Sequence, residues 1–366
     1  MEGNKIKGRI AFIVGRPSGH PLHMAYGDSV DSDVYHEDRI LRWQDVEGAS
    51  KARRYLSWIL NAIFFPNRKR YDLLLCECLR VPPLMMKCCG LLTRNQKLVA
   101  LMADESLYFL DQKKYPLPTR WLMRLFLKKC DHLICIGALQ YELALRHAPK
   151  GSEKKIHQIE NGIDVQLLER LLKIHTPKRP MRKLVIIANL SASWRAWYKG
   201  VDLAFKAFDH QCSNSNLNLT LDVIGEVNEG VANDLLKDIS EENKSRISFK
   251  GMVSDIASIL PEYDLCLHPS RGDAYPTSTL ECFAAGIPTI VSNVTGTKGF
   301  LSNVCEQLIC EPYTDSLIKS IDYALQLSDD ERNAVTKGLK NAMSGSTKEH
   351  SLDAFRKIMN QILSEN

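Results

Sequence analysis

Eleven short apolar runs, each separated from the next by a segment long enough for a helix, constrain this chain more than any other feature. The first half contains GRIAFIVG (8–15), YDLLLCEC (71–78), KLVALMA (97–103), DHLICIG (131–137) and KIHQIEN (155–161). The second contains RKLVIIAN (182–189), LNLTLDVIG (217–225), RISFKG (246–251), YDLCLH (263–268), IPTIVS (287–292) and EQLICE (306–311). Near-continuous apolar and β-branched runs with amphipathic segments between them predict parallel strands covered by helices on both faces. In such sheets ligands bind beyond the carboxyl ends of the strands, which directs attention to the residues that follow each run.

At 366 residues and 45% apolar composition the chain is too long for one ordinary core and suits two α/β domains. The proline-rich HTPKRP stretch predicts a boundary at Pro177, giving domains 1–177 and 178–349. The cut exposes a charge asymmetry. Residues 1–177 hold 28 Lys and Arg against 19 Asp and Glu, a net +9, and the remainder holds 20 against 24, a net −4. A basic first half fits an anionic partner or surface, or else a solvated basic face. The opening MEGNKIKGRIAFIVG lacks the apolar core of a signal peptide, and no apolar run reaches the length of a bilayer span, so a cytoplasmic location is expected. Eleven cysteines, several inside strand runs (Cys76, Cys135, Cys266, Cys310), read as buried thiols rather than disulfides.

RGDAYPTSTLECFAAGIPTI (271–290) follows the strand YDLCLH and carries two acids, Asp273 and Glu281. Pro276 and Gly286 predict the start and stop of a helix, which leaves Asp273 in the loop and Glu281 about one and a half turns into the helix. The first-turn N–H groups of Thr277, Ser278 and Thr279 form a ready anion site, best matched to a phosphate. Ionised carboxylates only accept hydrogen bonds, and sugar hydroxyls donate them, so Asp273 suits a sugar and Glu281 a ribose diol. The loop therefore reads as a cradle for a nucleotide sugar, with Tyr275 in its wall and Gly225, Gly251 and Met252 at the ends of neighbouring strands.

HPSRGDAYPTSTLECFAAGIPTIVSNVTG resembles the donor-binding signature of retaining GT-B glycosyltransferases, family 4 of the group 1 glycosyl transferases. IENGID (159–164) resembles the segment that ends the family's first domain. ANLSASWRAWYKGVDLAFKAF resembles the strand, basic loop and K-G-hydrophobic-D helix that opens the second. LDVIGE and ISFKGMVSDIASILPEYDLCLHPS continue the succession, so the resemblance covers residues 156–310. It implies a GT-B fold, two Rossmann-like doubly wound parallel-sheet domains facing a cleft, with a final helix (350–366) crossing back onto the first domain. It also implies an enzyme, a retaining hexosyltransferase. Glu281 would hold the nucleotide ribose and Asp273, where the family usually has Glu, would face the donor sugar. Lys199 would neutralise the diphosphate together with Arg195, whose spacing is one residue shorter than the family's.

That chemistry suits these residue types. Breaking an anomeric C–O bond builds charge on the departing diphosphate, and preorganised cations and helix N–H groups stabilise it without a metal or other cofactor. The only D-x-D letters, Asp31-Ser32-Asp33, fall in a polar stretch read as a loop, so no metal site is expected. Asp104 and Glu105 follow the strand KLVALMA where the family often carries a histidine; either Asp104 takes a related hydrogen-bonding role or the positions are not equivalent. GRPSG, with Gly15, Arg16 and Gly19, is either an acceptor-side loop or a tight strand-to-helix connection.

Cys76, Cys78, Cys88 and Cys89 lack paired C-x2-C spacing, and His20, His23 and His36 lack ligand spacing. KARRYLSWILNAIFFPNRKRY (51–71) and PTRWLMRLFLKKC (118–130) are basic and apolar, either interfacial helices beside anionic lipid or core helices with snorkelling ends. The expected partners are a nucleotide sugar (UDP- or GDP-linked), a glycan or lipid-linked saccharide acceptor and, on the first alternative, peripheral contact with an anionic membrane. No nucleic acid is expected, since no aromatic-basic recognition motif accompanies the charge. A catalytically silent sugar-binding partner and a nucleotide-sugar epimerase of the same architecture are the competing readings.

Overall fold

The computed structural model of the chain describes residues 8–15, 21–36, 68–175, 180–215 and 217–365. The chain forms two compact units, residues 1–160 with 351–366, and residues 161–350.

The first unit is built on a six-stranded parallel sheet in the order β2-β1-β3-β4-β5-β6, from β1 (Ile10–Val14), β2 (Asp33–His36), β3 (Leu73–Glu77), β4 (Lys97–Met102), β5 (His132–Ile136) and β6 (Ile156–Ile159). β1, β3 and β5 are buried along their whole length, as strands covered on both faces must be. β2 was not expected. It is a four-residue edge strand, half-exposed, so it presents no apolar run. The stretch read as a loop is thus a turn, with Asp31 at φ 53°, leading into a strand that Asp33 opens. The Tyr71 hydroxyl donates to the Asp33 carboxylate (2.6 Å) at the amino end of β2, away from the edge where parallel sheets bind ligands.

The helix Lys348–Ser364 runs into the first unit. Its Phe355, Met359 and Ile362 are fully buried, Phe355 packs on Tyr26 (ring centroids 4.9 Å apart), and the Tyr26 and Ser351 hydroxyls are 2.6 Å apart. The helix Leu117–Lys129 buries Met123, Phe126 and Leu127 in the core and leaves Leu117 and Trp121 exposed. Residues 51–67 of the other basic segment lie outside the described residues, as do Arg16, Gly19 and His20. Among the described residues no helix is long and apolar enough to cross a membrane.

The second unit carries a second six-stranded parallel sheet, β12-β11-β10-β7-β8-β9, from β7 (Lys183–Ile187), β8 (Thr220–Ile224), β9 (Ile247–Gly251), β10 (Leu265–His268), β11 (Thr289–Ser292) and β12 (Ile309–Cys310). The unit begins at Asn161, ahead of the boundary expected at Pro177. The reason is local packing. Asp164 caps the helix Val165–Leu172 through the N–H groups of Gln166 and Leu167, Ile163 bridges Thr347, and Lys340 donates to the Leu172 carbonyl (2.9 Å). These bonds tie residues 161–172 to the second sheet's helices before the prolines are reached. All eleven cysteines are free thiols, nine of them buried; Cys88 and Cys89 are exposed.

Candidate functional site

Strand order reverses between β7 and β10: β8 and β9 lie on one side of β7, and β11 and β12 continue on the far side of β10. The crevice at the carboxyl ends of these two strands is where a doubly wound sheet binds its ligand. Lys199 and Asp273, from the segments after β7 and β10, meet there in an ion pair.

Local chemistry forces the meeting. The helix Ser193–Tyr198 ends at Lys199, and Gly200 turns the chain at φ 70° into the helix Val201–Asn214. A Cβ at Gly200 would lie 2.0 Å from the Pro269 carbonyl oxygen, so only glycine lets the two strand exits approach. The loop after β10 is pinned to the same turn. Arg271 grips Asp202 through two hydrogen bonds of 2.7 Å, its guanidinium lies 5.0 Å from the Trp197 ring centre, and the Tyr198 hydroxyl donates to the Gly272 carbonyl (2.7 Å).

Asp273 is buried, and His268 sits 3.1 Å from the carboxylate oxygen that Lys199 also holds. Burial works to raise the Asp273 pKa, but Lys199 and then His268 outweigh it and hold the carboxyl well below the usual range. His268 is itself buried and its pKa is pushed down by that burial, against the pull of Asp273. The pair therefore sits beside a buried imidazole, with the Ser270 hydroxyl accepting from the Asp273 N–H.

The helix Thr277–Ala285 follows, with Pro276 at its N-cap and Gly286 closing it at φ 76°. Thr277 is exposed and Ser278 half-buried at its first turn. Thr279 is fully buried, its hydroxyl spent on the Pro276 carbonyl (2.8 Å) and Thr297 (2.9 Å), so its side chain braces the loop. Tyr275 is buried beneath the same loop. Glu281 is half-buried, with no hydrogen bond or ion pair to another described residue, and burial alone pushes its carboxyl up to about 7. A carboxyl desolvated without a partner is costly, which marks Glu281 as a functional candidate.

Arg195 lies one helical turn before Lys199, its guanidinium 5.4 Å from the Trp194 ring centre, with Nε donating to the Asn189 carbonyl (3.3 Å) at the exit of β7. It pairs with no carboxylate among the described residues. Gly225, at φ 135°, closes β8 where a Cβ would meet the Ala188 oxygen at 2.1 Å, and its N–H donates to the Gly251 carbonyl (2.9 Å). Met252, next along, is exposed. Gly225, Gly251 and Met252 therefore sit on the same carboxyl edge as Lys199 and Asp273, farther from the switch point.

Gly15 and Asp104 belong to the first unit, whose own reversal falls between β1 and β3. Glu77, the last residue of β3, gathers that edge. Its carboxylate accepts from the Gly15 N–H (2.9 Å) and Arg80 (3.2 Å) and lies 2.6 Å from His23 Nδ1. Burial opposes ionisation there, but His23, the Gly15 N–H and Arg80 bring the Glu77 carboxyl down to about 2. Asp104, beyond β4, accepts from the Ser106 N–H (3.0 Å) and lines a cavity of about 230 Å³ with Arg80 and Tyr115. Among the described residues no three His, Cys, Asp or Glu side chains gather into a metal-binding group.

Arg271, Asp202, His268 and the Glu77–His23–Arg80 cluster were not singled out from sequence. Their signal was present: Glu77 and His268 are titratable residues closing otherwise buried strands at the carboxyl edge, and Arg271 adjoins Gly272 in the loop.

Residues 183–341 match the family described as glycosyl transferases group 1. The chain is 26% identical over 246 residues to the Escherichia coli UDP-Gal:alpha-D-GlcNAc-diphosphoundecaprenol alpha-1,3-galactosyltransferase, a match spanning 63% of this chain and 60% of the relative's length. Among solved structures it resembles HepE of Anabaena, solved in complex with UDP and glucose, at a TM-score of 0.67 and 13% identity, over 98% of this chain and 100% of that one. It also resembles WaaG, a glycosyltransferase involved in lipopolysaccharide biosynthesis, at a TM-score of 0.65 and 15% identity, over 98% and 100% of the two chains. The chain thus has the GT-B fold, and residues 183–341 of its second unit match the group 1 glycosyl transferases.

Proposed function

We propose that the chain is a retaining hexosyltransferase of glycosyltransferase family 4. It takes a UDP- or GDP-sugar in the second unit and delivers the sugar to a glycan or lipid-linked saccharide, with acceptor binding in the first unit. The observation that carries this reading is the Lys199–Asp273 pair at the switch point, followed on one helix by the partnerless, half-buried Glu281. Glu281 accepts hydrogen bonds from the ribose diol, and the sugar's hydroxyls donate to Asp273. Lys199, Arg195 and the first-turn N–H groups at Thr277, Ser278 and Thr279 meet the diphosphate and stabilise the charge that builds on it as the anomeric bond breaks. These groups supply the positive charge without a metal.

The relative from E. coli is named for moving galactose from UDP to a diphosphoundecaprenol-linked sugar, which supports both donor and acceptor classes here. HepE, crystallised with UDP and glucose, supports the nucleotide. With attack on the face that the diphosphate leaves, that diphosphate is the base that takes the acceptor's proton. The test is a transfer assay with UDP- and GDP-sugars and a diphospho-lipid-linked saccharide, with the product's anomeric configuration read by NMR in the presence and absence of EDTA. Retained configuration and EDTA-insensitive turnover are expected. Inverted product or loss of turnover with EDTA refutes the mechanism, and donor interconversion without acceptor would make the chain an epimerase.

A further inference from the structure

The helix Leu117–Lys129 has one face that the core does not use. Leu117 is 73% exposed and Trp121 65%, the largest exposed apolar side chains of the described first unit. Arg124 and Lys128 continue their line at spacings of three and four, so the four side chains form one stripe down the helix. Lys113 and Lys114, both exposed, stand just before it. Residues 112–130 hold six Lys and Arg and no acid. Asp111, at the stripe's edge, is occupied by Arg146 and His147.

We propose that this stripe is a docking surface for an anionic lipid bilayer. Trp121 and Leu117 enter the headgroup boundary, and Arg124, Lys128 and Lys113 meet the lipid phosphates. A solvated helix face accounts for the cations but not for an indole and a leucine left in water beside them. A protein partner is the poorer match, because protein interfaces deplete lysine at their centre, whereas a run of six lysines and arginines with no acid over residues 112–130 complements fixed negative charge. The opposite flank of the same helix supplies Thr119, Leu122, Met123 and Phe126 to the cavity lined by Asp104. Docking by the stripe therefore brings a cavity at the carboxyl edge of the first sheet near the lipid surface. Only this last consequence rests on the proposed transfer reaction; the docking surface stands without it.

The test is co-sedimentation of the full chain with vesicles of phosphatidylcholine alone and of phosphatidylcholine with phosphatidylglycerol, at low and physiological salt. The wild type should sediment with the anionic vesicles, less at the higher salt, and stay in solution with the neutral ones. Leu117→Ser/Trp121→Ser and Arg124→Glu/Lys128→Glu should each lower the partition by about tenfold or more, with melting temperatures unchanged because both pairs are on the surface. A wild type that ignores anionic vesicles, or that binds neutral ones equally well, overturns the proposal. So does binding that survives in both variants. Nucleotide-sugar binding measured without vesicles reports separately on the donor site.

Discussion

Replacing Glu281 with glutamine should stabilise the unliganded protein at neutral pH while removing the proposed ribose contact. The Glu281 carboxyl is pushed from 4.5 to about 7 by burial alone. The folded state therefore holds this proton more tightly than the unfolded state, stability falls as pH rises from about 4.5 through about 7, and it is level beyond. At about 1.36 kcal/mol per pKa unit the full shift corresponds to about 3 kcal/mol, and partial exposure reduces this to roughly 1–2 kcal/mol. Glutamine fills the same space and cannot ionise, so it escapes the penalty. For a unit of this size about 1 kcal/mol moves the melting temperature by roughly 2–4 °C. Melts of wild type and Glu281→Gln without ligand should coincide near pH 4, diverge as pH rises from about 4.5 to about 7 and stay apart above that, with the variant higher. A difference that does not change with pH, or a variant less stable at pH 8, would refute the assignment of Glu281 as a desolvated, partnerless carboxyl.

Lys199→Met should cut turnover by about 100-fold or more and lower the melting temperature, because Asp273 is left buried with its charge partner removed. Adding Asp273→Asn should restore part of the stability and none of the turnover, which a double-mutant cycle by thermal melts and rate assays reads directly. Asp202→Ala removes the carboxylate that takes two of Arg271's hydrogen bonds and leaves it the Trp197 carbonyl, and should cost about 1.5–3 kcal/mol in denaturant unfolding, with a rise in donor KM as the loop at Gly272 loosens. Gly200→Ala and Gly251→Ala separate strain from collision. Both glycines have φ near 70°, but the added Cβ strikes the Pro269 carbonyl only at Gly200. Gly251→Ala should cost about 1–2 kcal/mol and Gly200→Ala several times that in melts; equal costs would show that the close approach at Gly200 relaxes freely.

The apolar runs made the strands legible because a strand covered on both faces has no polar side to disguise it, as IAFIV and HLICI show. β2 escaped because DVYH lies at a half-exposed sheet edge behind a polar DSD turn. The boundary at Asn161 was hidden for a different reason. The helix Val165–Leu172 joins the second unit through bonds to Lys340 and the Ile163–Thr347 bridge, partners more than 160 residues away. At the candidate site, Asp273, Glu281 and Lys199 stood out because one loop and one turn carry them. Arg271 with Asp202, and His268 with Asp273, become visible only when β7 and β10 lie side by side. Glu77, His23 and Arg80 come together likewise across β1, β3 and their following segments.

The proposed function requires the second unit to hold a nucleotide-diphosphate sugar through Glu281. A thermal-shift panel of UDP-, GDP- and ADP-sugars on the wild type and on Glu281→Ala tests it most directly, since a ligand that binds only the folded state raises its stability. One nucleotide class should raise the melting temperature of the wild type and leave that of the variant unchanged. An absence of shift with every nucleotide sugar, or a shift that Glu281→Ala leaves intact, would contradict it.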